Sequence, residues 1–332
     1  MQKTMFLNHL KPYNILKKIT LRHIGAIALL LCAIIAAGCT REDESAPTVV
    51  INIGNADGTI YPRTNGLLSG LFDIGGGSKV RFAHGNLQYQ PSTGTWRLAT
   101  NQYDCIGRTN SYISPTSDYW IDLFVWGSSG CDTNIPPYFV FRDSSDIQID
   151  SVTFFNINSG YMSPNNQYDW GTFNAITGAG DTAGWLHTLT NAQWGYLINQ
   201  RYDAEKKRGV AEIEGTKGYV FLPESWALPE GCTFVPDTTS SESSATPFVN
   251  VYDKKQWEKM EAEGAVFLPY AGRRVGRNIP GINRFCYYWT ASTYRTAKGL
   301  VNYAALNKKK TSYVEWYYGL AVRLVYYERN DK

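Results

Sequence analysis

Hydrophobic positions along this chain come in short runs that mostly alternate with polar ones, and two stretches switch to helical spacing. From Lys79 to Ala83 the side chains of Val80 and Phe82 share one face, which predicts a first strand. Gly85-Asn86 can turn the chain. Leu87–Tyr89 and Thr95–Leu98 follow as a second and third strand, with Pro91 and Gly94 between them. Tyr119 to Trp126 is a dense aromatic run assigned to the core, and residues 127–181 read mostly as loop. Gly218-Tyr-Val-Phe-Leu-Pro223 is echoed by Gly264-Ala-Val-Phe-Leu-Pro269. Each reads as a short buried strand ended by a proline, which has no N–H for a ladder. Two copies do not make a solenoid. Tyr287–Ser292 and Gly319–Val325 are further apolar, β-prone runs.

The helical stretches carry their own start signals. In Leu189–Arg201, Thr190 and Gln193 stand at the two positions of a capping box, and Leu189 and Trp194 at those of a hydrophobic staple. Trp194, Leu197, Ile198 and Arg201 follow helical spacing, so three apolar residues share a buried face. In Asp253–Gly264, Asp253 can cap the first turn, Trp257 and Met260 mark the apolar face, and Gly264 can end the helix in the left-handed conformation. Between them, 237–244 is a Ser/Thr-rich loop.

Composition agrees with short strands. The chain of 332 residues has 23 Tyr, 10 Trp, 30 Gly and 14 Pro, which favours turns and aromatic packing over long helices.

The N-terminus reads as an address. Lys11, Lys17, Lys18 and Arg22 precede an apolar run, Ile24–Ala37, that falls short of the roughly 20 residues a spanning helix needs and fits a secretory signal. It ends in Ala36-Ala37-Gly38-Cys39, which resembles a bacterial lipobox, with Ala36 where Leu is usual. Cys39 would then be lipidated and become the mature N-terminus. The cluster Glu42-Asp43-Glu44 just after it resembles the surface-export signal of Bacteroidetes lipoproteins. Segment 1–38 is thus expected to be a signal peptide, 39–74 a lipidated tether, and 75–328 the folded domain. The first 39 residues hold five Lys/Arg and no Asp/Glu, so the formal charge of +3 becomes 27 bases against 29 acids, near −2, after cleavage. The basic balance therefore gives no argument for nucleic-acid binding.

Candidate chemistry is sparse. Cys105, Cys131, Cys232 and Cys286 remain in the mature chain, and export allows disulfides. Four cysteines permit three connectivities, and sequence alone does not choose among them; Cys105–Cys131 and Cys232–Cys286 are the expected pairs. Their spacing matches no zinc motif. Asp143, Asp146 and Asp150 do not match the spaced ligands of an EF-hand loop. His84 and His187 have no local triad partner, and no P-loop, dinucleotide or zinc-protease motif occurs. No metal or cofactor is expected.

One ordered set of residues carries a resemblance: Val80-Arg-Phe with Gly85-Asn-Leu-Gln-Tyr89, Trp96-Arg97, Asp169-Trp-Gly171, Leu189-Thr190 with Trp194, the two Val-Phe-Leu-Pro strings, Ala271-Gly272-Arg273, Tyr288-Trp289 and Val322-Arg323-Leu324-Val325. Over about residues 75–326 this resembles the Bacteroidetes exported proteins akin to the Fibrobacter succinogenes major paralogous domain. Trp289-Thr-Ala-Ser292 stands where that family usually has Trp-Ser-Ser. The resemblance implies an α+β fold of the C-type lectin-like kind, in the branch of the formylglycine-generating enzymes: two helices packed on small, mostly antiparallel sheets with long loops. The Glu-Pro-Asn, Gln-Pro-Asp and Trp-Asn-Asp strings of calcium-dependent lectins are absent. The copper-binding cysteine pair of the enzyme branch has at most Cys286, beside Arg284, as a counterpart.

Between Trp289 and Gly319 the composition changes. Tyr294, Arg295, Asn302, Tyr303, Asn307, Lys309, Tyr313, Trp316 and Tyr317 offer rigid rings and adaptable polar groups, the chemistry of binding surfaces. They are the expected ligand-binding residues. Some lectin-fold proteins of this kind are varied near the C-terminus by diversity-generating retroelements, which enrich Asn, Tyr and Lys. The expectation is a non-catalytic cell-surface lipoprotein of the outer membrane, active in ligand binding or adhesion, with a glycan or protein partner and no nucleic acid. The alternatives are an enzyme of the formylglycine-generating branch and a structural subunit of a fimbrial or adhesin assembly.

Overall fold

The computed structural model describes residues 66–141, 166–238, 249–295 and 300–328. All of them belong to one compact unit, Val49–Lys332. Cys39, the acidic cluster at 42–44, Asp143, Asp146, Asp150 and most of the Ser/Thr-rich loop lie outside the described residues.

The fold is a mixed α+β arrangement of small, mostly antiparallel sheets. The first sheet joins the two ends of the domain. Its strands run β1 (Phe72–Asp73), β2 (Lys79–Phe82), β13 (Leu324–Tyr327) and β5 (His187–Thr188) in that order. β2 alternates as its sequence requires: Val80 and Phe82 are buried, Lys79 is exposed. β13 pairs with it antiparallel, Val325 opposite Phe82 and Tyr327 opposite Val80. β3 (Leu87–Gln90) and β4 (Thr95–Leu98) form the expected hairpin, with Tyr89 opposite Trp96.

The second sheet has the order β8 (Asn250–Tyr252), β6 (Arg208–Ile213), β7 (Thr216–Phe221), β9 (Val266–Pro269). The two echoed strings lie here as neighbours. β7 and β9 run antiparallel with Gly218 opposite Pro269 and Phe221 opposite Val266. Gly218 is required by this pairing, because a Cβ there would sit 2.2 Å from the Phe267 ring.

The third sheet is β10 (Tyr287–Arg295), β11 (Leu300–Ala305) and β12 (Lys310–Glu315), antiparallel throughout. β10 is irregular between Trp289 and Thr293.

Among the described residues three α-helices complete the fold: α1 (Trp170–Phe173), α2 (Asn191–Asn199) and α3 (Lys254–Ala262). Both capping boxes form, Thr190 with Gln193 on α2 and Asp253 with Gln256 on α3, each satisfying backbone N–H groups of the first turn. Trp194, Leu197 and Ile198 of α2 are fully buried, and the Trp194 ring meets Phe82, Phe221 and Tyr288. Arg201 is buried too, but as an ion-pair anchor: it donates to the carbonyls of Leu222 and Lys207 and to Glu224. Trp257 and Met260 of α3 cover the second sheet, with Trp257 edge-on to Phe267. Gly264 takes φ +87°, and its Cα approaches Gly70 so closely that a Cβ would lie 2.5 Å from that backbone.

Two expectations need correction. The domain begins before residue 75: Leu67, Leu68, Phe72 and Ile74 are buried, and Phe72 pairs with Val80. The expected tether is therefore already part of the fold from Gly66 onward. In the aromatic run 119–126, Ile121 to Trp126 is core, but Tyr119 is exposed and the run forms isolated bridges rather than a strand.

Candidate ligand-binding surface

The expected binding residues separate into three environments. Tyr294 of β10 and Tyr313 of β12 are the outward pair. Their rings stack at 4.1 Å and 3°, and both are about half exposed (42% and 50%). They form a flat platform on the third sheet. Tyr303 is half-buried and lies edge-on to Tyr287 at 4.9 Å. Arg295 closes β10 opposite Leu300.

Others belong to the framework. Trp316 is buried to 1% in the main core, its ring beside Phe139, and its carbonyl accepts from the Trp126 N–H. Asn302 is buried and its Nδ2 donates to Thr293 O at 2.7 Å, filling the irregularity of β10. Lys309, at φ +53°, turns inward to Asp237 at 2.7 Å, with both side chains mostly buried. Asn307 is half-buried, its Oδ1 enclosed and without a hydrogen-bond partner among the described residues. Trp316, Asn302 and Lys309 are thus corrections: strand register turns Asn302 inward, the turn between β11 and β12 does so for Lys309, and the turn after β12 for Trp316.

Tyr317 belongs to a third environment that includes residues distant in sequence. Because Trp316 plugs into the core, the next two rings emerge beside a groove. Tyr317 stacks on Phe141 (4.1 Å, 26°), and Tyr318 packs edge-on to Tyr317. Arg273 sits between rings, 5.3 Å from Tyr318 and 5.8 Å from Phe285. Phe285 stacks on Tyr287 (5.2 Å, 10°), which meets Tyr303. The result is a continuous ribbon of rings from Tyr303 to Phe141 with a guanidinium in it. Partial burial, with the neighbouring Tyr303 second, pushes the Tyr287 hydroxyl up to about 12, so it stays a neutral donor.

Two hollows flank this ribbon's end. One of about 530 Å³ is lined by Phe141, Val275, Arg277, Asn278, Tyr317 and Tyr318. The other, of about 460 Å³, lies between Tyr112–Pro115 and Pro136–Val140. Arg277 lines both. Each volume is in the range of small-ligand pockets, about 300–1,000 Å³.

The groove is assembled by Arg274. Its buried guanidinium donates to the carbonyls of Leu123 and Phe139, while its backbone exchanges two hydrogen bonds with Gly319. One residue so fixes the segments bearing Phe139, Tyr318 and Arg277. Desolvation lowers its basicity to about 10, and it remains charged near neutrality. Arg323 is a second buried guanidinium, donating to Asn86 Oδ1 and to the carbonyls of Ala83, Gln102 and Phe267. It cements the core and faces no ligand space.

The remaining candidates for chemistry are structural. Cys105, Cys131, Cys232 and Cys286 are free thiols. The expected pairs Cys105–Cys131 and Cys232–Cys286 are not formed: Cys286 lies in the core under β9, donating to Leu268 O, whereas Cys232 faces Gln256 O in a different apolar cluster. Burial pushes the Cys286 thiol well up, and a reactive thiolate needs the opposite environment. Asp122 and Asp169 are fully buried, and desolvation raises them to about 6 and about 7. Asp122 accepts from Ile106 N and Asn110 Nδ2, and Asp169 caps α1 while accepting twice from Thr188. His187 lies 3.1 Å from Thr172 Oγ1. Among the described residues no three His, Cys, Asp or Glu side chains converge as metal ligands.

Compared with protein-family models, curated proteins and solved structures, the chain gives no significant match.

Proposed function

We propose that this chain is an exported lipoprotein, anchored at the outer membrane through Cys39 and displayed at the cell surface, whose C-type lectin-like domain binds an extracellular glycan or protein without catalysing a reaction. The address rests on the apolar run ending at Cys39 and on the acidic cluster behind it. The binding reading rests on one observation above the others: a ribbon of rings from Tyr303 to Phe141, partly exposed except at the buried Tyr287, ends at two hollows that share Arg277. Ring faces carry negative quadrupole density and large apolar area. They suit the polarised C–H face of a sugar ring as well as a protein side chain.

The enzyme alternative asks for a reactive thiolate. Cys286 is enclosed by protein and its thiol is held neutral, which favours the binding reading.

The test is a glycan and host-protein array probed with the full-length chain and with its Tyr317→Ala/Tyr318→Ala variant. Loss of the captured ligand by the variant supports the proposal, and equal capture by both proteins rejects the groove as its site. Cys39→Ala should release the protein from the membrane fraction and abolish fatty-acid labelling; persistent labelling would overturn the anchor.

A further inference from the structure

We propose that the groove is built for an acidic oligosaccharide, one whose sugar rings stack on the aromatic ribbon while its carboxylate or sulfate groups meet arginines. This rests on the binding reading above and specifies its ligand class. Between Gly272 and Phe285 the chain carries four arginines. Arg274 turns inward and donates to two carbonyls. Of the other three, Arg273 is half-buried between Phe285 and Tyr318, while Arg284, over Phe285 at 5.9 Å, and Arg277, between the two hollows, are exposed. Among the described residues none of the three forms an ion pair with a carboxylate. Elsewhere in the fold, Arg81, Arg201, Lys207 and Lys309 all do.

The loop that carries them is held rigid. Arg273 N donates to Pro280 O, Val275 and Asn278 exchange two backbone hydrogen bonds, and Gly272 N donates to Phe285 O. Guanidinium groups carried on such a loop, with no carboxylate partner among the described residues, offer forked donors to carboxylate or sulfate. The chain outside the signal segment carries a formal charge near −2, so this cluster is a local reversal of sign rather than a general basic surface. An acidic peptide would satisfy the arginines but leave the Tyr317 and Tyr318 rings that line the hollow without a flat partner. An acidic sugar chain matches both features.

The experiment is titration calorimetry of the full-length protein in detergent. Its probes are an oligogalacturonate hexasaccharide, the same oligomer with its carboxylates reduced to alcohols, a sulfated heparin hexasaccharide, and a polyglutamate peptide. At least one acidic sugar should bind, and the carboxylate and sulfate arms identify which anion is recognised. Arg277→Gln should weaken that binding about tenfold or more, the loss expected for a charge-assisted hydrogen bond, and added salt should weaken it further. Arg277 is exposed, and an unchanged melting temperature would separate lost contact from lost fold. If the reduced oligomer binds as tightly as the acidic one and Arg277→Gln has no effect, the acidic inference fails while groove binding stands. Tighter binding of polyglutamate than of any sugar also overturns it. Sugar binding that is blind to both Arg277→Gln and Tyr317→Ala would overturn the site itself.

Discussion

Trp316 and Tyr317 are adjacent in sequence, yet the fold gives them opposite work, and truncating each separately tests that division. Trp316 is buried to 1%, with Phe139 on one side and Tyr317 edge-on at 5.9 Å. Replacing a buried Trp by Ala loses its transfer energy and leaves a cavity, about 3–5 kcal/mol. For a domain of this size, about 2–4 °C of melting temperature accompany each kcal/mol, so Trp316→Ala should lower Tm by roughly 10 °C. Tyr317 is only half-buried, and its chief contact is the Phe141 face. Losing that stack costs about 1 kcal/mol, a shift of a few degrees. Ligand affinity should respond the other way: Tyr317→Ala removes a ring from the groove and should weaken binding by about tenfold or more, as for an interface anchor. Calorimetric melting of both variants, followed by titration with the captured ligand below their Tm, reads the two effects separately. A Trp316→Ala protein that keeps its Tm within about 2 °C but loses the ligand would refute the assignment and return Trp316 to the surface.

Three further outcomes follow from the framework. Gly218→Ala places a Cβ 2.2 Å from the Phe267 ring, and this overpacking should cost about 1–3 kcal/mol in urea unfolding; a neutral result would mean that β7 and β9 part easily. Lys309→Gln breaks the mostly buried contact with Asp237 and should cost about 2 kcal/mol or more, whereas Lys308→Gln on the exposed neighbour should stay within about 0.5 kcal/mol; equal effects would show that Lys309 is a surface group after all. Burial raises Asp169 from an ordinary 3.8 to about 7. The folded chain therefore holds this proton more tightly than the unfolded one, and its stabilising contribution is present below the unfolded value and lost as pH rises to the folded one. Asp169→Asn should flatten that decline in the urea midpoint relative to wild type, and an identical slope in both proteins would remove Asp169 as its source.

What the sequence made legible was local. Thr190 and Gln193 are three residues apart, so their capping box could be read directly, as could the Asp253 cap; that Gln256 closes a second box emerged from the structure. β2, β3 and β4 alternate within four residues each and were equally plain. Residues 66–74 were missed because Leu67, Leu68, Phe72 and Ile74 are spaced irregularly among glycines; β1 itself spans only Phe72 and Asp73. The two Val-Phe-Leu-Pro strings were visible as a repeat, but their antiparallel pairing depends on Gly218 yielding space to Phe267. The display stretch failed for a different reason. Composition there is rich in Tyr, Trp, Asn and Lys throughout, so it cannot say which side chains point out. That is decided by contacts far along the chain: Phe139 against Trp316, Asp237 against Lys309, and Thr293 O against Asn302.

The groove is the extreme case of this dependence. Its walls come from residues 112–115, 136–141, 275–278 and 317–318, and no periodicity within any one of them announces a shared cavity. Arg274 ties three of them together: its guanidinium donates to Phe139 O, and to Leu123 O outside the walls, while its backbone pairs with Gly319 beside Tyr318. In sequence, Arg274 looks interchangeable with Arg273 and Arg277. In the fold it is withdrawn from the surface, while Arg277 lines the two hollows and Arg273 lies among the rings. A buried arginine that organises exposed ones leaves no local signature, since the four differ only in what lies opposite them.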